Sequence, residues 1–102
     1  MSYSYRVVID KKAVEKLFGD DVEAFLMFAG GVGEGAAKRF APVDTGNLRR
    51  SITHELGRRG FDRYVRIGTN VDYAVFQELG TRFHAAHPFL RPATEEIRRA
   101  LR

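Results

Sequence analysis

A run of apolar and small residues at helical spacing between Asp20 and Phe40 constrains the fold of this chain more than any other feature. Asp20 or Asp21 can cap the start of a helix, because a carboxylate there accepts a hydrogen bond from a backbone N–H of the first turn. One face of that helix would carry Val22, Phe25, Leu26, Ala29, Gly33, Ala36, Ala37 and Phe40. We therefore predict a long helix, up to about Phe40, whose apolar face lies in the core.

The same helix contains four glycines, each of which costs about 1 kcal/mol relative to alanine in a helix interior. They are Gly30, Gly31, Gly33 and Gly35. The side opposite the core would carry Ala24, Phe28, Gly31 and Gly35, with Met27 alongside. We favour close packing of another backbone, partly from a neighbouring subunit, over a bend or break at Gly30–Gly31.

Alternating apolar and β-branched residues predict three strands. The first covers Tyr3–Asp10, with Tyr5, Val7 and Ile9 on one face. Residues 52–56 and 63–69 would form an antiparallel hairpin whose tip is the segment Gly57–Gly60.

Shorter helices are predicted between these elements and after them. They are a helix at Lys11–Phe18, a turn at 46–51 capped by Thr45 with Leu48 and Ile52 facing inward, a segment at 73–79 that stops at Gly80, and a last helix with Ala93, Ile97 and Leu101 in the core. Residues 82–87 have no clear period and predict a loop.

Two prolines define the start of the last helix in this interpretation. Pro88 and Pro92 would hold Phe89–Arg91 extended, and Pro92 would begin the helix. Acidic Glu95 and Glu96 would then lie in its first turn, while Arg98, Arg99 and Arg102 near its end would complement the helix dipole. The whole chain, residues 1–102, is predicted to be one α+β domain: a small antiparallel sheet packed against one long helix, with a C-terminal helix.

Composition narrows the possible chemistry. The chain has no cysteine, which excludes disulfides, thiol catalysis and zinc sites with cysteine ligands. It has no apolar run of the roughly 18 residues that a membrane span needs. Its N-terminus lacks the layout of a signal peptide, so we expect synthesis in a cytoplasm and no membrane partner.

The net charge of +4 comes entirely from the second part of the chain, where all eleven basic residues after position 40 are arginines. Arginine suits fixed, bidentate contacts with carboxylates or phosphates. The pattern fits a solvated face equally well as a polar interface or a surface near DNA.

No catalytic or cofactor site is evident. His84 and His87 lie three residues apart with Glu78 nearby, but they fall in a loop and no fourth metal ligand appears. The glycine-rich segment Gly30–Gly35 lacks the Lys-Ser/Thr and the preceding strand of a phosphate loop. We expect no enzyme activity, no cofactor and no metal.

Three segments together carry a family resemblance: Ala41–Ile52 with Pro42, Asp44, Thr45, Gly46 and Leu48; Ile67–Thr81 with Gly68, Tyr73, Glu78, Gly80 and Thr81; and His87–Ala93 with Pro88, Phe89 and Pro92. Their order and spacing resemble the gene-product-ten-like neck and tail-completion family of long-tailed, double-stranded-DNA bacteriophages. That family carries Pro-x-Asp-Thr-Gly-x-Leu, then Tyr-Ala leading to Glu-x-Gly-Thr, then Pro-Phe-x-x-Pro-Ala.

The resemblance implies a structural virion protein that forms a ring at the head–tail junction and lets DNA pass through its centre. It implies a ring of six copies, with twelve as the alternative, and neighbours that are head-closure or connector proteins and tail-terminator or tail-tube proteins. Assembly would take place in the bacterial host cytoplasm. Candidate interface residues are Phe28, Gly31, Gly35, Arg49, Arg58, Arg59, Arg82 and Arg91.

We also assign physical roles to motif residues as hypotheses. Asp44 and Thr45 would fix the turn after the long helix, and Gly46, Gly68 and Gly80 would occupy backbone positions that reject a side chain. Tyr73 and Phe89 would anchor the core. Glu78 would pair with Arg49, Arg82 or Arg91, within a chain or across one.

Two rival functions remain at this point. A basic nucleic-acid-binding module would use Arg58, Arg59, Arg63 and Arg66, with Tyr64 stacking on a base. A small hydrolase would use His84, His87 and Glu78.

Overall fold

The computed structural model describes residues 3–9, 21–42, 46–60 and 62–100. It contains strands β1 (Tyr3–Val8), β2 (Thr53–Arg59) and β3 (Asp62–Thr69), and helices α1 (Val22–Phe40), α2 (Asn47–Ser51), α3 (Ala74–Leu79) and α4 (Leu90–Ala100). The α+β class is confirmed. The helix predicted at Lys11–Phe18, the buried position of Leu101 and the roles of Asp44 and Thr45 fall outside the described residues.

The sheet is antiparallel with strand order β1-β3-β2. Tyr5 and His54 flank Ile67, and Val7 and Leu56 flank Val65, so these positions share one face. That face packs against α1 and α4, and Val7, Val65 and Ile67 are buried there. The predicted arrangement of a sheet against a long helix is confirmed.

The hairpin is longer than expected. We predicted a tip at Gly57–Gly60, but β2 continues through Arg59, and only Gly60, with φ of +62°, lies in the turn among the described residues. Gly57 pairs with Tyr64, whose ring occupies the space that a Cβ at Gly57 would need. A cross-strand aromatic ring thus covers a glycine that the sequence alone suggests is part of a turn.

Helix α1 is continuous through Gly30–Gly31, so the predicted alternative of a break is wrong. The Asp21 carboxylate accepts a hydrogen bond from the Ala24 N–H at 3.0 Å, which confirms the predicted cap. Phe25, Leu26, Ala29, Ala36 and Ala37 are buried as predicted.

Phe40, in contrast, is 44% exposed and does not belong to the core. Ala41 and Leu48 are both buried in the cluster that closes the core at this end of α1. The last helical position therefore projects beyond the packed layer.

The four glycines of α1 divide into two pairs. A Cβ at Gly33 would lie 2.6 Å from Cδ1 of Ile97 and 2.7 Å from Cδ1 of Ile67, and one at Gly30 would overlap the His54 ring. This pair packs closely, but against side chains of the same chain and not against another backbone as predicted. Among the described residues, nothing lies within 4 Å of a Cβ at Gly31, and only Nη1 of Arg39, at 3.9 Å, approaches one at Gly35.

The start of α4 differs from the prediction. Leu90 and Arg91 are helical and not extended, and Pro92 is the third helical residue and not the first. Proline is tolerated there because the N–H groups of the first turn have no partner inside the helix. Glu95 and Glu96 consequently lie beyond the first turn, whereas Arg98 and Arg99 do lie in the last one.

The glycine pairs make a testable contrast. Gly33→Ala should lower the free energy of unfolding, because overpacking costs roughly 1–3 kcal/mol. Gly31→Ala should raise it by about 1 kcal/mol, because the position is open and alanine favours the helix. Urea unfolding of both variants checks this. Equal effects of the two substitutions would contradict the assigned packing.

Candidate interaction surfaces

A buried carboxylate connects α3 to the start of α4. Glu78 is 3% exposed. Its Oε1 accepts hydrogen bonds from the backbone N–H groups of Phe89 (3.0 Å) and Leu90 (2.8 Å), and its Oε2 accepts one from Arg91 (3.1 Å). The next residue, Pro92, has no N–H. Glu78 therefore satisfies every backbone donor at this helix start and places negative charge where the helix dipole favours it.

Within the chain, Glu78 accepts from backbone N–H groups and does not pair with Arg49, Arg82 or Arg91 as predicted, while pairing across chains stays a prediction. Arg91 contributes its backbone N–H, Nε of Arg49 donates to the Lys38 carbonyl at 3.1 Å, and Arg82 lies 5.5 Å from the Phe83 ring centroid. The Glu78 carboxylate lies at the N-terminal end of α4, so its donors are backbone N–H groups and not guanidinium groups.

The charge of Glu78 also affects Tyr3, which lies beside Tyr5 at the start of β1. The hydroxyls of Tyr3 and Tyr5 are 3.3 Å apart. Burial raises the pKa of Tyr3 above its usual range, and the hydrogen bond to Tyr5 and the electrostatic effects of Tyr5 and Glu78 raise it further. Tyr3 therefore stays neutral beside the buried carboxylate.

Two hydroxyls that the sequence analysis did not single out join α2 to the end of β3. Ser51 Oγ donates to the Leu48 carbonyl at 2.6 Å and lies 2.5 Å from Oγ1 of Thr69. Because the Ser51 proton is already used, Thr69 is the donor in the second bond, and Thr69 in turn accepts from the Val71 N–H at 3.0 Å. Ser51 and Thr69 lie far apart in the sequence and follow no periodic pattern, so the sequence does not reveal this hydrogen-bond network.

Two motif glycines have the backbone conformation that the sequence suggests. Gly46 occupies the N-cap position of α2 with φ of +70°. Gly80 ends α3 with φ of +77°, and a Cβ there would lie 2.8 Å from the Ala86 backbone N. Gly68 is buried within β3, and its intolerance of a side chain stays a prediction.

The loop after α3 folds back on the helix end. Thr81 Oγ1 accepts hydrogen bonds from the backbone N–H groups of Phe83 and His84, both at 3.1 Å, and the His87 N–H donates to the Gln77 carbonyl at 2.7 Å.

Among the other motif residues, Pro42 follows the end of α1, Leu48 is buried in α2, and Pro88 precedes the buried Phe89. Phe89 is thus a core anchor as predicted.

Tyr73 is not a core anchor, because it is 39% exposed. Ala74 and Glu78, four residues apart, form the buried side of α3. Phe76, Leu79 and Phe83 are also exposed, Phe83 by 82%. We call Tyr73, Phe76, Leu79 and Phe83 the α3 ridge. The buried side of α3 carries a charged residue and its exposed side carries aromatic ones, so hydrophobicity alone assigns the two sides wrongly.

A second apolar surface lies on α1, as predicted for Phe28, Gly31 and Gly35. Met27 is 66% exposed and Phe28 is also exposed. We call Met27, Phe28, Gly31 and Gly35 the α1 back.

The candidate interface arginines lie on separate elements. Arg49 is on α2, Arg58 is exposed in β2, Arg82 is in the loop after α3, and Arg91 is exposed at the start of α4. The Arg59 side chain lies outside the described part of the structure.

Several groups expected in a basic hairpin already have partners. Arg63 Nη1 is 3.0 Å from Glu23 Oε1, and Arg66 Nη1 is 3.9 Å from Glu55 Oε2. The Tyr64 ring has the guanidinium groups of both Arg6 and Arg66 at 5.5 Å from its centroid. This arrangement leaves Tyr64 poorly placed to stack on a base.

Neither a metal-binding cluster nor a membrane-spanning helix is found among the described residues. No group of three His, Cys, Asp or Glu side chains there converges as metal ligands would. His84 and His87 are exposed, while the Glu78 oxygens bind backbone N–H groups. Within the same residues, no helix combines the length and apolar character that crossing a bilayer requires.

Comparison with known proteins gives one family. The family model described as "Bacteriophage HK97-gp10, putative tail-component" matches residues 9–80. This range contains the first motif segment and all of the second, including Glu78, except Thr81, and it ends before the third. No curated protein and no solved structure matches the chain.

The role of Glu78 can be tested by removing its charge. Glu78→Gln should lower the free energy of unfolding by on the order of 3 kcal/mol, because it weakens charge-assisted hydrogen bonds and turns an amide group toward backbone donors. Glu95→Gln, which removes the same charge from an exposed position on α4, should change it by less than about 0.5 kcal/mol. Urea unfolding measures both. Similar losses in the two variants would contradict the capping role.

Proposed function

Since this chain belongs to the HK97-gp10-like family of bacteriophage tail components, we propose that it is a structural virion protein that forms a ring at the head–tail junction. The family match carries this proposal, because it covers most of the chain. The ring would join head-closure or connector proteins on one side to tail-terminator or tail-tube proteins on the other.

Exposed apolar side chains support an assembling role. Nine large hydrophobic residues are exposed among the described residues of this 102-residue chain. The α1 back and the α3 ridge account for six of them: Met27, Phe28, Tyr73, Phe76, Leu79 and Phe83. Concentrations of exposed apolar surface are typical of protein–protein contacts.

A contact between two different surfaces of the same chain is heterologous, and it closes into a ring when the rotation between copies is right. Six copies would follow the symmetry of a tail, and twelve would follow that of a connector. The net positive charge suits a lumen through which viral DNA passes without sequence-specific contacts.

The proposed role is structural and not enzymatic. The buried carboxylate of Glu78 binds backbone N–H groups, and the hydroxyls of Ser51 and Thr69 bond to each other and to the backbone. These groups support the fold, and their polar atoms are engaged within the chain.

Particles assembled without this chain test the proposal. Heads filled with DNA and separate, completed tails should accumulate, and electron microscopy should show few joined particles. Supplying the chain during infection should restore joining. Normal joining in its absence would overturn the proposal.

A binding assay separates the rival nucleic-acid-binding function. The isolated chain should bind duplex DNA weakly at physiological salt, because arginines of the hairpin are partly paired with Glu23 and Glu55. Tight binding whose affinity falls steeply with salt would favour the rival.

A further inference from the structure

We propose that the α3 ridge of one copy packs against the α1 back of the next copy, with α3 antiparallel to α1. The inference rests on the proposed ring and names the two surfaces that would form each contact. Both surfaces belong to one chain but lie on different elements, so the contact is heterologous.

The ridge supplies bulky side chains at regular intervals. Tyr73, Phe76 and Leu79 follow one another at three-residue spacing, which places them along one side of α3, and Phe83 extends the ridge into the next loop. The buried Ala74 and the hydrogen-bonded Glu78 fix the opposite side of α3 to the body of the protein. The ridge is thus held facing outward.

The α1 back supplies the complementary hollow. Gly31 and Gly35 are four residues apart on one side of the helix, and no side chain of the described residues fills the space beside Gly31. Of the inward glycines, Gly30 accommodates the partly buried His54 ring and Gly33 accommodates the core residues Ile67 and Ile97. A neighbouring copy would give the outward pair the same kind of occupant.

The two surfaces also match in length. Tyr73 to Leu79 spans six residues, about 9 Å along a helix, and Met27 to Gly35 spans eight, about 12 Å. In the antiparallel arrangement Tyr73 lies near Gly35, Phe76 near Gly31, and Leu79 and Phe83 near Phe28 and Met27.

Charge selects the antiparallel direction. The ridge has exposed Asp72 before its first residue and exposed Arg82 near its last. Helix α1 has Asp21 and Glu23 at its N-terminal end and Lys38 and Arg39 at its C-terminal end. Antiparallel packing brings Asp72 toward Arg39 and Arg82 toward Asp21 and Glu23, whereas parallel packing would oppose like charges. Glu23 also binds Arg63 but remains mostly exposed.

Site-directed cross-linking tests the contact, since the chain has no cysteine of its own. Asp72→Cys and Arg39→Cys would be combined in one chain, assembled into phage particles and treated with a short bismaleimide. Both positions are exposed at the edge of the contact, so the substitutions remove one charged pair but leave the apolar centre and the pairing of Arg82 with Asp21 and Glu23. We expect covalent multimers of this chain up to the size of the ring.

Two controls make the result specific. Chains with Asp72→Cys alone and Arg39→Cys alone should form only dimers when they are assembled as a mixture. Asp72→Cys combined with Val8→Cys, at an exposed position of β1, should give little product. Particles that contain an oligomer of the chain but yield no more product than the Val8 control would overturn this contact and leave the proposed function intact. Particles without the chain would overturn both.

A substitution with opposite effects on folding and assembly gives a second test. Gly31→Gln should raise the melting temperature, because the position is exposed and glutamine favours a helix. It should also lower incorporation into particles at least tenfold, because the added side chain fills the hollow. Arg98→Gln, an exposed change on α4, should leave incorporation unchanged. Normal incorporation of Gly31→Gln would contradict the proposed packing.

Discussion

The rest of the structure depends on the hydrogen bonds that backbone N–H groups at the start of α4 donate to the Glu78 carboxylate. A carboxylate is costly to bury unless its oxygens are bonded, and a helix start is costly to bury unless its N–H groups are bonded. Glu78, Phe89, Leu90 and Arg91 meet both requirements together. This arrangement fixes the last helix against α1 and β1, and it holds α3 with its aromatic side turned outward.

Periodic burial made much of the fold predictable. The apolar stripe of α1, the hairpin and the cap at Asp21 follow from patterns within one element, so the sequence shows them directly. The errors occur where two elements meet. Phe40 matches the stripe but extends past the core, and Gly57 suggests a turn but lies under the ring of Tyr64 in a strand.

The interaction surfaces were also predictable only where a pattern within one element determines which residues are exposed. Phe28, Gly31 and Gly35 could be assigned to an exposed face because the helical period determines where they point. Tyr73 could not, since α3 has only six residues and its buried side contains a charged one. The partners of Glu78 were also missed, because a buried acid that bonds to backbone N–H groups has no signature in the residues around it, whereas nearby arginines suggest an ion pair.

Glu78 lies near the C-terminal end of the segment that matches the family. The matched range ends at residue 80, just after the acid, while all three of its donors come from residues 89–91. A polypeptide that ends at residue 80 would retain the Glu78 carboxylate and lose all three of these N–H donors. In this chain the matched segment therefore depends on the start of α4, which lies outside it, for the hydrogen bonds of its buried acid.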